Sequence, residues 1–113
     1  MKYDLEDRTE KFSQNIISLC QSLPKTIISI PLIKQLIRSA TSVGANYCEA
    51  NGASGKRDFK NKILICKKEI LESKYWLKML TKAQPTFKDR IDILWKEAQE
   101  LTLIFSKIAH SSK

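Results

Sequence analysis

Histidine is nearly absent from this chain: His110 is the only one among 113 residues. That removes most metal and acid–base sites built on imidazole. With three glycines and three prolines the composition is neither collagen-like nor linker-dominated. The three cysteines, Cys20, Cys48 and Cys66, are odd in number and show no Cys-x-x-Cys spacing, as reduced thiols in a cytosolic chain do. Long apolar runs are missing too. The longest, Ile63-Leu64-Ile65-Cys66, falls far short of the ~20 residues that a membrane-spanning helix needs. The opening Met1-Lys2-Tyr3-Asp4-Leu5-Glu6-Asp7 is acidic and polar where a secretory signal has a basic flank and an apolar stretch. A cytoplasmic protein without a membrane segment is expected.

Apolar residues and charge are both plentiful. Hydrophobic residues make up 42% and charged residues 28%, a balance that suits one folded core across residues 1–113 as a single domain. Their spacing is helical throughout. Leu5, Thr9, Phe12, Ile16, Leu19 and Leu23 alternate steps of four and three. Asp4 and Asp7 give this segment an acidic first turn, and Pro24 stops it. The stretch from Pro24 to Pro31 is rich in β-branched residues and reads as an extended connection, apolar enough to pack down. Pro31 suits the first position of a second helix, on which Ile33, Leu36, Ala40, Val43, Tyr47 and Ala50 repeat the pattern until Asn51-Gly52. A third helix carries Phe59, Ile63, Cys66, Ile70, Ser73, Leu77 and Leu80. A fourth, beyond Pro85, carries Phe87, Ile91, Leu94, Ala98, Leu101, Phe105 and Ile108.

The spacing therefore predicts helices over about 4–23, 31–51, 56–82 and 86–109. No segment has period two. An all-α, antiparallel up-down four-helix bundle with left-handed packing is the expected architecture.

Twenty basic residues against twelve acidic ones leave a net charge of +8. The excess is local: nine basic and three acidic residues fall between 56 and 83. At about 100° per residue, Lys56, Lys60, Lys67, Lys74, Lys78 and Lys82 share one arc roughly 80° wide, with Arg57 and Lys68 just beyond it. Asp58, Glu69 and Glu72 project to the opposite side, so the signs are segregated rather than interlaced. Repulsion within such a stripe costs helix stability. A phosphate backbone would relieve it, with Lys60, Lys67, Lys74 and Lys78 as main contacts and Arg57, Lys68 and Lys82 in support. The plain alternative is a solvated face that serves only solubility.

Opposite the lysines, Ile65, Trp76 and Met79 form an apolar strip separate from the core stripe, and Trp95 and Leu103-Ile104-Phe105 widen the apolar face of helix four. Self-association follows, unless the Pro24–Pro31 segment covers the excess. On helix two, Arg38, Ser42, Asn46 and Glu49 form a polar line beside the apolar one. Buried, these groups must satisfy one another or a neighbouring subunit. Catalytic chemistry is hard to place. A di-metal bundle needs Glu-x-x-His pairs, and Asn51-Gly52-Ala53-Ser54-Gly55-Lys56 lacks the spacing and preceding strand of a phosphate-binding loop. No nucleophile with a base, metal site or cofactor site emerges, so no enzyme is expected.

The stretch Ile37-Arg38-Ser39-Ala40-Thr41-Ser42-Val43-Gly44-Ala45-Asn46-Tyr47-Cys48-Glu49-Ala50-Asn51-Gly52, followed by Lys56-Arg57-Asp58-Phe59, resembles a bacterial family of four-helix proteins. These were first described as reading frames inside intervening sequences of 23S ribosomal RNA genes. The resemblance runs from Asp4 to about Leu80 and, in pattern only, through the fourth helix. It implies a ring-like homopentamer without enzymatic activity. A related branch, the accessory protein of diversity-generating retroelements, binds nucleic acid and a reverse transcriptase. Arg38, Ser42, Asn46, Glu49 and Glu72 match the family's polar motif, whereas Gly44, Tyr47-Cys48 and Glu69 depart from it. Two functions are then expected in competition: RNA or DNA binding through the lysine stripe, or a scaffold that docks a protein through Trp76 and Trp95.

Overall fold

The computed structural model describes residues 4–111. Four α-helices and no strand occur among them: α1 Leu5–Ser22, α2 Ser29–Asn51, α3 Lys56–Ala83 and α4 Lys88–Ser111, with a 3-10 turn at Pro85–Phe87. α3 runs unbroken for 28 residues. At about 1.5 Å per residue it nearly spans the molecule, whose principal extents are 44 × 22 × 19 Å.

Each helix turns its apolar stripe inward. Phe12, Ile16 and Leu19 of α1 meet Leu36, Ala40 and Val43 of α2, Ile63, Ile70, Leu77 and Leu80 of α3, and Ile91, Leu101 and Phe105 of α4 in one core. Burying each large side chain contributes about 1.5–3 kcal/mol. Thr9 occupies the gap in the α1 stripe without penalty, because its hydroxyl donates to the Leu5 carbonyl at 2.7 Å. Consecutive helices pack on one another, and α4 also touches α1. Contacts between α2 and α3 run in reverse order along the two chains: Glu49 with Lys62, Val43 with Cys66, Ser39 with Ser73.

The connection between α1 and α2 differs from the sequence expectation. It does not pack down: Ile27 is 89% exposed and Ile28 61%. Hydroxyls explain why. Thr26 Oγ1 accepts the Ser29 N–H at 2.9 Å, and Ser29 Oγ accepts the Thr26 N–H at 2.8 Å. This reciprocal pair satisfies the free amides of a helix start. Ser29 Oγ also donates to the Pro24 carbonyl at 2.6 Å and is fully buried. With Ser29 turned in and tied to Thr26 and the Pro24 carbonyl, the isoleucines between Thr26 and Ser29 face out. α2 thereby starts at Ser29 rather than Pro31, and Pro31 lies within its first turn, where a missing N–H still costs nothing.

Candidate functional site

α3 meets a different neighbour on each flank, and its charges follow. Toward α2, every acid of the sequence-derived polar set has a partner. Arg38 Nη1 donates to Glu69 Oε1 at 3.1 Å, and Arg38 Nη2 donates to Glu72 Oε1. One guanidinium thus spans two carboxylates a helical turn apart. Its pKa is raised above the ordinary arginine value, chiefly by the Glu69 hydrogen bond. The rest of the α2 polar line divides. Asn46 donates to the Ser42 carbonyl at 2.8 Å within its own helix, while Glu49 accepts the Lys62 ammonium at 2.7 Å. Lys62, which the sequence reading passed over, is held protonated by that bond.

Between these ion pairs lie two buried contacts that only the register of α2 on α3 reveals. Ser39 Oγ and Ser73 Oγ are 2.8 Å apart, both fully buried, and Ser73 Oγ also donates to the Glu69 carbonyl at 2.9 Å. The Cys66 thiol donates to the Val43 carbonyl at 3.5 Å. Burial pushes its pKa from 9.0 up to about 12, and that of Cys20 up to about 11. Cys48 is the exposed thiol.

The other flank is cationic and unpaired. None of Lys56, Arg57, Lys60, Lys67, Lys68, Lys74, Lys78 and Lys82 forms an ion pair among the described residues. Asp58, the remaining acid of α3, accepts the Ser54 N–H at 3.3 Å and forms no ion pair with the stripe. The stripe is not uniform in exposure. Arg57, Lys68, Lys78 and Lys82 are open to solvent, whereas Lys60, Lys67 and Lys74 are half-buried.

Lys74 is drawn toward α4. Its ammonium donates to Gln99 Oε1 and lies 4.8 Å from the centroid of the Trp95 ring. Lys78 reaches the same ring at 5.6 Å. Both distances suit attraction between a cation and an aromatic face. Beside them a groove of about 340 Å³ runs between α3 and α4, lined by Leu77, Lys78, Thr81, Ile91, Asp92 and Trp95. A second hollow of about 500 Å³ lies near the opposite end, among Ala50, Asn51, Lys56, Phe59 and Ser111.

The apolar strip is shared out differently from the sequence expectation. Trp76 and Trp95 pack against the core, and Ile65 stays partly open. Leu64, Leu71 and Tyr75 on α3 are more exposed than Ile65, and Leu103 on α4 is 60% exposed. Tyr75 and Trp76 stack edge-on at 5.1 Å. The indole nitrogens of Trp76 and Trp95 are buried without an acceptor among the described residues, so no hydrogen bond of the indole N–H holds either ring. Among the described residues no helix is long and apolar enough to cross a membrane. No three of the described histidine, cysteine and acidic residues group as metal ligands.

Comparison with known proteins points one way. The sequence pattern of the 23S rRNA-intervening sequence protein family matches residues 1–107. Among solved structures, the chain is similar to a protein of unknown function from the S23 ribosomal protein family of Bacteroides thetaiotaomicron VPI-5482. The two are 28% identical over 92% of this chain and 96% of the other, with a TM-score of 0.82. No curated protein matches.

Proposed function

The chain belongs to the 23S rRNA-intervening sequence protein family, and on that premise we propose that it is a non-enzymatic, self-assembling protein that binds RNA or DNA in the cytoplasm through phosphate contacts along α3. The subunit in this reading is an antiparallel up-down four-helix bundle with left-handed packing. The reversed order of the α2–α3 contacts supports that arrangement. The observation that carries nucleic-acid binding is the asymmetry of α3: its two glutamates are taken by Arg38, and its stripe lysines lack an ion-paired counter-charge among the described residues. Phosphates would supply one. Self-assembly, pentameric by family resemblance, is supported by the exposed Leu64, Ile65, Leu71 and Tyr75.

Binding of a labelled generic RNA, followed by anisotropy between 50 and 300 mM salt, tests the reading. With four phosphate contacts the affinity falls about a hundredfold across that range. Reversing Lys60, Lys67 and Lys78 to Glu abolishes most of it. A flat salt response, or unchanged binding by the reversed protein, overturns the proposal. Light scattering tests assembly, and a monomer at micromolar concentration overturns it.

Tyr75, stacked on Trp76 and 54% exposed, favours the second reading, an adaptor that docks a protein on this strip. Partners that survive nuclease treatment and require Tyr75 and Trp76 decide for it.

A further inference from the structure

The lysine stripe ends in something a phosphate contact does not need: an aromatic ring in a groove. Trp95 lines a hollow of about 340 Å³, near the lower end of the ~300–1,000 Å³ typical of small-ligand sites. Leu77 and Ile91 give it apolar walls. Two ammonium groups, from Lys74 and Lys78, rest over the indole. Asp92 stands at the wall with Oδ2 accepting the Lys88 ammonium at 2.6 Å, and Thr81 stands nearby with its hydroxyl donating to the Leu77 carbonyl.

We propose that this groove takes one unstacked nucleobase against Trp95, so that the nucleic acid bound along α3 is single-stranded. The inference rests on the phosphate reading above and adds the base to it. The electron-rich face of an indole attracts cations when nothing else covers it. A base displaces them by stacking, and the displaced ammonium groups remain within reach of the phosphates on either side of that base. Stacking of this kind is tolerant of sequence, since every base has a π face. The Asp92 carboxylate narrows the choice, because it accepts from exocyclic amino groups. Adenine, cytosine and guanine have one; uracil and thymine do not. A duplex is excluded by geometry. Its bases are already stacked on one another, and Trp95 is half-buried between two helices.

The chain has two tryptophans, so a Trp76→Phe protein reports on Trp95 alone. Titration with single-stranded adenine or cytosine 12-mers quenches its emission; a uridine 12-mer does so less, and a duplex of equal length does not. Trp95→Leu weakens single-strand binding about tenfold, and Trp95→Phe, which keeps a stacking face, restores most of it. Unfolding of the leucine protein does not shelter the idea, because the emission of the intact Trp95 is an independent readout. Equal quenching by duplex, or unchanged single-strand affinity in Trp95→Leu, overturns the base pocket. If charge reversal at Lys60, Lys67 and Lys78 still abolishes binding in that case, the phosphate reading survives alone. If no oligonucleotide binds at all, both fail.

Discussion

The two flanks of α3 are built from the same helix and solve opposite problems. Toward α2, charges meet their opposites: Arg38 holds Glu69 and Glu72, Lys62 holds Glu49, and Ser39 with Ser73 and Cys66 with Val43 fill the space between. Toward α4, the helix offers ammonium groups and receives an amide, Gln99, and a tryptophan face in return. The first seam is closed within the subunit. The second leaves its lysines without an ion pair among the described residues.

Three experiments break or sharpen this contrast. The largest effect concerns Cys66. Its thiol is neutral in the folded seam, with a pKa raised from 9.0 to about 12, so the folded chain keeps a proton that the unfolded chain loses above pH 9. Stability is therefore full below pH 9 and falls as pH rises. Unfolding free energies from urea titrations at pH 9 and 11 should differ by about 2 kcal/mol more in the wild type than in Cys66→Ala. Equal slopes would mean that the seam admits water.

Next, Arg38→Ala leaves Glu69 and Glu72 facing each other across one turn. About half-exposed itself, Arg38 should cost about 1–2 kcal/mol in a urea titration at neutral pH, and adding Glu72→Gln should restore part of that. The smallest effect has the opposite sign. Lys60→Glu replaces the repulsion with Lys56 by attraction and raises stability by about 0.3 kcal/mol at low salt, vanishing at high salt. RNA affinity should fall in the same protein. A lysine whose loss destabilised the fold would belong to the closed seam after all.

Four helices were readable from spacing because each stripe of apolar residues keeps to alternate steps of three and four, and prolines or glycines fall between them. The Arg38–Glu72 partnership was half-readable: both residues stood out, yet which of the two glutamates Arg38 would take depended on how α2 is seated against α3. Both were taken. Lys62–Glu49 and Ser39–Ser73 had no such signal, since their pairing needs a register that one helical wheel cannot contain. Trp95 under Lys74 and Lys78 is the same case on the other flank. The Pro24–Pro31 stretch misled for a local reason. Two prolines and a run of β-branched residues suggested an extended strand of chain, while Thr26 and Ser29 carried a helix-start signal three residues apart.

Burial of two of the three thiols leaves Cys48 as a ready-made handle. A maleimide dye applied to the native protein would attach once per polypeptide, without any engineered residue. Counting photobleaching steps on single particles then becomes a census of subunits, and energy transfer between such dyes becomes a ruler across whatever assembly they form.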